Sequence, residues 1–180
     1  ARVNQNVSND FQDVLLDATG TIETVHVAGQ ESAETFGNNT IGGYFNGAFL
    51  KNYVKAYVED AADVSAGRDF KLRSTANNQV FLGTETGSSS DNVAVEGAFG
   101  ILDLESTSLA FIEDRANIAV GNDLVLDADN QTLSVNTSGA LAQGQTAGVG
   151  VSAGYSNLLH ETRAFVGNEP EAAAPFSTGA

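Results

Sequence analysis

Residues 55–72 read KAYVEDAADVSAGRDFKL and residues 109–126 read LAFIEDRANIAVGNDLVL. Seven of the eighteen aligned positions are identical, and five more exchange like for like: Tyr57/Phe111, Val58/Ile112, Asp63/Asn117, Val64/Ile118 and Phe70/Leu124. The two blocks stand 54 residues apart, and RAFVGN at 163–168 echoes LAFIED at 109–114 at the same interval. Tyr57, Phe111 and Phe165 therefore form one series, and Gly67/Gly121, Val95/Val149 and Gly100/Gly154 keep its register. Upstream, VLLDA (14–18) resembles LVLDA (124–128), and GGYFNG (42–47) stands one unit before EGAFGI (96–101). The first interval is longer, about 59 residues by alignment, as repeat arrays allow through loop insertions.

A unit that recurs in this way buries its apolar face against its neighbours. Stretches such as IETVHVAG (22–29) and NVAVEGAF (92–99) alternate with period two, and GNN (37–39) and TGSSSDN (86–92) read as turns. The expected fold is all-β: a β-solenoid of the parallel β-helix kind, built from repeats of about 54 residues. The competing architecture is an antiparallel β-sandwich, because periodicity does not give strand direction. An outer-membrane barrel fits less well, given the internal repeats and the lack of clear aromatic girdles. The expected organisation is one β-repeat domain over 1–168: a partial repeat 1–54, repeats 55–108 and 109–162, and the start of another at 163–168. EPEAAAPFSTGA (169–180) reads as a linker or tail. Three rungs of about 18 residues per unit, spaced about 4.8 Å, predict a rod about 45–50 Å long; two longer rungs per unit predict a shorter one.

In a solenoid, equivalent side chains stack in columns. Tyr57, Phe111 and Phe165 are expected in one column or at equivalent corners, and Val64 and Ile118 in another column. Gly67 and Gly121 are expected at a turn that needs positive φ. These are structural positions rather than site residues.

Eight basic against 23 acidic residues give a net charge of −15, which repels duplex nucleic acid and anionic membranes. With no cysteine there is neither a disulfide nor a thiol nucleophile. No apolar run is long enough for a transmembrane helix. The chain starts at Ala1 without Met, as a mature or excised segment does.

No reaction is specified. His26 and His160 stand alone, and His26, between Val25 and Val27, is expected on the polar side of its strand. There is no G-x-S-x-G elbow, no His/Cys cluster for zinc and no P-loop lysine after the glycines of 97–100 and 147–154. Asp127 and Asp129 in DADNQT (127–132) start like a calcium loop but lack its Gly and Glu, so structural calcium is a weak expectation. Sequons at Asn130 and Asn136 are those an Asn/Ser/Thr-rich chain contains by chance. Glycoside cleavage would need a carboxylate pair set among aromatic platforms.

GQTAGVGVSAGYSNLLHETRAFVGN (144–168) and ANIAVGNDLVLDADNQTLSV (116–135) together resemble the repeats of giant bacterial surface exoproteins, the filamentous-haemagglutinin-like and leukotoxin-like adhesins. The shared elements are Ala147–Gly150, Asn157, Thr162–Val166 and Ile118–Ala128. The resemblance implies secretion, an all-β stalk and a role in adhesion or cell-surface structure. The first copy departs from it: GGYFNGAFLKNYVKAYV (42–58) lacks the AGVG glycines and carries more aromatics.

The chain therefore reads as a non-enzymatic structural or adhesive module of a bacterial stalk, fibre or filament. Its expected partners are neighbouring copies head to tail, or adjacent repeats of one large protein. ARVNQNVSND (1–10) resembles the continuation RANIAVGND (115–123) that RAFVGN lacks, which suggests such stacking. The alternative is a secreted carbohydrate-binding or carbohydrate-cleaving β-helix protein.

Overall fold

FKLRSTANNQVFLGTETGSSS (70–90) alternates without interruption, and its even-numbered residues from Phe70 to Ser88 are all buried while the odd-numbered ones face outward. No proline breaks it, and Ser, Thr and Asn tolerate the extended backbone, so it forms a single strand of 21 residues. That is far beyond the usual five or six and corresponds to a contour of about 70 Å.

The computed structural model describes residues 2–3, 12–34 and 38–168. The strands run β1 (Arg2–Val3), β2 (Val14–Glu34), β3 (Asn39–Val58), β4 (Asp63–Ala66), β5 (Phe70–Ser90), β6 (Val93–Ile112), β7 (Asn117–Val120), β8 (Leu124–Gly144) and β9 (Ala147–Val166). They form three sheets, β1-β4-β7, β2-β5-β8 and β3-β6-β9, in which every described pairing is parallel. The chain is thus an all-β parallel solenoid, and neither the antiparallel sandwich nor a closed barrel is formed.

One repeat makes one rung. The second and third rungs are each a short strand, a turn, a long strand, a two-residue arch and a second long strand, and the first holds the equivalent strands β1, β2 and β3. Asp91 and Asn92 turn the second rung, and Gln145 and Thr146 the third. The arches are not hairpins: the strands they join hydrogen-bond to other rungs, not to each other. Between the second and third rungs the offset is 54 residues in all three sheets (Val64 with Ile118, Phe70 with Leu124, Val93 with Ala147). Between the first and second it is 61 at Arg2/Asp63, 56 at Val14/Phe70 and 54 at Asn39/Val93. The extra residues of the first rung lie between β1 and β2 and around the β2–β3 arch, beside a register shift between Gln30 and Ala33.

Three expectations change. The unit is not divided into three rungs of 18 or two longer ones, because its alternation runs unbroken through small residues. The three layers span about 10 Å from first to third instead of a 45–50 Å rod. Residues 163–166 keep the 54-residue register, from Arg163 with Leu109 to Val166 with Ile112, as the end of β9. The N-terminal alignment also shifts by two residues: Arg2 pairs with Asp63, which pairs with Asn117. Residues 4–11 of that alignment, and 169–180, lie outside the described residues.

Between the long sheets the interior alternates in character along its width. An apolar cluster at the β4 end holds Val58, Val64, Ala66, Phe70, Leu72 and Ile112, and a second holds Ala48, Val80, Leu82, Leu102 and Leu104. Full burial of each Leu or Phe stabilises by roughly 1.5–3 kcal/mol. Polar side chains fill the stretch between the clusters and the far tip.

Candidate functional site

The aromatic series forms a column on the outer face of β3-β6-β9. Tyr57 and Phe111 lie 5.2 Å apart between centroids at 10°, and Phe111 and Phe165 lie 5.1 Å apart at 2°. Phe111, stacked on both faces, is 1% exposed, whereas Tyr57 at the end of the column is 42% exposed. Val64 pairs with Ile118 as expected. Gly67 and Gly121 do sit in equivalent turns, but neither has positive φ; among the described glycines only Gly29 and Gly167 do. The reason for glycine at 121 is close approach: a Cβ there would collide with the Gly67 carbonyl oxygen of the rung below.

The interior carries a polar ladder. Asn52 Nδ2 donates to Asn78 Oδ1 at 2.8 Å, and Asn78 Nδ2 donates to Ser106 Oγ at 2.8 Å and to Thr132 Oγ1 at 3.0 Å. Ser106 Oγ donates to Asn130 Oδ1 at 2.9 Å, and Asn130 Nδ2 returns a bond to the Ser106 carbonyl at 2.9 Å. Beside it, Ser74 and Ser108 share a hydroxyl contact of 2.8 Å. The bonds zigzag between sheets and climb from first to third rung. A buried amide left unpaired costs roughly 1–3 kcal/mol, so these residues must be satisfied together. The sequence reading passed over this ladder; its signal was Asn at the inward parity of an alternating strand.

At the far tip, the buried Glu96 carboxylate accepts from Thr86 Oγ1 at 2.8 Å. Its rung neighbours in register are Gly42 and Gly150, and a Cβ on Gly42 would meet the Glu96 carboxylate oxygens at 2.6 and 2.8 Å. Asn136 Oδ1, Ser138 Oγ and Thr84 Oγ1 converge on Gly100. They lie 2.8, 3.1 and 3.2 Å from the point a Cβ would occupy, and none has a hydrogen-bond partner among the described residues.

Outside, polar pairs tie consecutive rungs. Asn117 donates to Asp63 at 3.1 Å, Asn122 to Asp69 at 2.9 Å and Asn157 to Asp103 at 3.1 Å, each from the third rung to the second. Arg68 pairs with Asp13 (Nε–Oδ1 2.7 Å) and Arg115 with Asp60 (Nε–Oδ1 2.9 Å), both through a second guanidinium nitrogen as well. The hydrogen bonds from Arg68 and Arg115 hold the Asp13 and Asp60 carboxyls below the usual carboxylate value. Lys51 meets Glu105 at 2.6 Å, which raises the lysine pKa, and Arg73 meets Asp127 at 3.5 Å. Exposed pairs of this kind each contribute little; their value is as register markers.

His26 does not face the polar side of its strand. It shares the inner-face column of Leu82 and Asn136, while Val25 and Val27 face outward, 69% and 78% exposed. His160 stands on the inner column of Asn52 and Ser106, at the open end of the polar ladder. Asp127 and Asp129 stand on the outward face of β8 rather than in a loop; Asp127 faces Arg73, and Asp129 accepts from Gln131 at 2.7 Å. Among the described residues no group of three or more His, Cys, Asp or Glu side chains is placed to hold a metal ion, and no helix is long and apolar enough to cross a membrane.

What the arrangement does present is two open edges. Inner-face side chains buried in β5 and β6 have exposed or only partly buried counterparts in the third rung: Ala110 is buried and Ala164 exposed, Phe70 buried and Leu124 exposed. The first rung adds an outward row of exposed aromatics, Phe45, Phe49, Tyr53 and Tyr57, four residues apart along β3. No family model matches this sequence, and neither the curated proteins nor the solved structures contain a match to it.

Proposed function

We propose that this chain is a structural module of an extracellular stalk, fibre or filament, whose rungs are continued by further rungs end to end. The observation that carries the proposal is the contrast between identical columns at different heights. The middle rung buries its inner face; in the third rung the β9 counterparts are exposed, as Ala164 is beside buried Ala110, and the β8 counterparts of the buried β5 residues are at most partly buried. Strand edges about 20 residues long with no pairing partner among the described residues invite pairing. Placement at a bacterial surface, and any adhesive role, rest on the resemblance of the repeat to giant surface exoproteins. Electron microscopy and fibre diffraction of the purified chain test it. The expected result is a filament with a meridional spacing near 4.8 Å and an axial chain repeat of about 14 Å, three rungs. Monodisperse single chains at all concentrations would overturn it.

A second reading, a carbohydrate-binding surface, is favoured by one observation: the exposed row Phe45, Phe49, Tyr53 and Tyr57. With residues about 13 Å apart along the strand and the Phe45 and Phe49 rings both reaching over Gly47, the row suits an extended polysaccharide lying flat on the sheet. Co-sedimentation with insoluble polysaccharides, lost in Phe49→Ala with Tyr53→Ala, is the expected outcome; equal co-sedimentation of wild type and variant would sink this reading.

A further inference from the structure

We infer that the edge formed by β7, β8 and β9 receives the edge formed by β1, β2 and β3 of a second copy of this chain. The strands run parallel, in the register that sets the arriving Tyr57 over Phe165, Val14 over Leu124 and Arg2 over Asn117. The inference rests on the structural reading above and specifies its junction.

Three observations select this register. First, the inner columns demand it. A slip of one residue turns every inner side chain outward, and a slip of two sets Tyr57 beside the end of the aromatic column instead of on it. Second, the turn after β4 repeats one backbone contact: Arg68 N donates to the Gln12 carbonyl at 3.0 Å and Asn122 N to the Arg68 carbonyl at 2.8 Å. Gln12, Arg68 and Asn122 therefore form a column. Third, each upper member of that column donates its side chain to the aspartate of the rung below, Arg68 to Asp13 and Asn122 to Asp69. The next acceptor is Asp123. The next donor, in the arriving copy, is the exposed Gln12, whose amide is of the right type. The edges are thus complementary at a point that backbone pairing alone would leave unspecified.

The same register contains a defect. Asp17, Arg73 and Asp127 form one outward column, in which Arg73 lies between two carboxylates. At the junction the arriving Asp17 stands over Asp127, about 4.8 Å away. Lys55 of the arriving copy likewise stands over Arg163, since both share the Leu109 column. Each copy also carries a net charge of −15. The junction between copies is therefore weaker than the contact between rungs of one chain, and it strengthens with salt.

The absence of native cysteine supplies the test. Glu23 and Leu133 share the outward column of Gln79. Within one chain they stand two rungs, about 10 Å, apart, too far for a disulfide; across the junction they are direct neighbours. The double variant Glu23→Cys/Leu133→Cys is expected to oxidise into a ladder of covalent multimers, and Glu23→Cys/Leu141→Cys is not. Ala164→Lys places a charge at a position exposed in the single chain and buried in the stack. It is expected to keep the β circular-dichroism spectrum and melting temperature while abolishing assembly. Asp17→Asn is expected to lower the concentration needed for assembly by roughly two- to five-fold at low salt. If wild type forms no filament, the structural reading fails and this register with it. If filaments form but the Leu141 pair cross-links instead, or neither pair does, or Ala164→Lys still assembles, the register alone is overturned.

Discussion

The side-chain amide of Asn52, in the first rung, donates to Oδ1 of Asn78, in the second rung and the facing sheet, at 2.8 Å. One hydrogen bond thus links two layers across the interior, between strands β3 and β5, which belong to different sheets and are not paired with each other. Asn78 also serves Ser106 and Thr132, which makes it the centre of the buried ladder. Asn78→Leu keeps the branched shape but adds volume and leaves Asn52 and Ser106 short of partners. A loss of about 2–4 kcal/mol is expected, measured by urea unfolding; an unchanged midpoint would show that the ladder contributes nothing.

The aromatic column gives a prediction about position rather than chemistry. Phe111 is enclosed between Tyr57 and Phe165, while Phe165 has a ring on one side only. Phe111→Ala is expected to cost about 3–5 kcal/mol, and Phe165→Ala less than half of that, in single chains below the assembly concentration. Equal losses from the two substitutions would contradict the enclosure.

Two glycines of β8 and its preceding turn should respond oppositely. Gly121→Ala forces a methyl against the Gly67 carbonyl and is expected to destabilise by about 1–3 kcal/mol. At Gly139 the nearest atom to an added Cβ is the Glu85 side chain at 4.0 Å, so Gly139→Ala is expected to be neutral. Thermal melts of both proteins decide it.

Acid should weaken the rung-to-rung pairs. Asp13 and Asp60 are held below their ordinary pKa of 3.8 by Arg68 and Arg115. A carboxyl depressed in the folded state stabilises above its unfolded pKa, and that contribution is lost as pH falls through the lower folded value. Asp13 is exposed and Asp60 only partly buried, so the slope is shallow and fades with salt. Arg115→Gln is expected to flatten the fall in melting temperature below about pH 4; an identical acid limb in wild type and variant would rule out the Asp60 contribution.

Much of this architecture was legible in residues 55–72 and 109–126. Identity at 54 residues reports that two segments occupy equivalent sites, and Tyr57 does stack with Phe111 as Val64 pairs with Ile118. The number of rungs per unit was not legible, because a turn within the unit leaves a mark only if it needs Gly, Pro or a break in alternation. Residues 70–90 contain Gly83 and Gly87 and still run as one strand. The facing of His26 was misread for a related reason. Alternation separates residues into two sets without saying which set is inside, and here the outward set contains Val25 and Val27. The ladder of Asn52, Asn78 and Asn130 escaped because hydrophobicity patterns count asparagine as surface, while a repeated layer gives each amide a partner above or below.

The two-residue arches at Asp91–Asn92 and Gln145–Thr146 have a mechanical consequence. They fold the second and third rungs flat, so the cross-section there is about 70 Å wide and about 10 Å between facing sheets. Bending resistance grows with the cube of the dimension in the bending plane. A stack of such layers is a tape rather than a cable, roughly fifty times stiffer edgewise than flatwise from those dimensions alone. It would curl or coil easily across its thin axis while resisting any turn within its own plane.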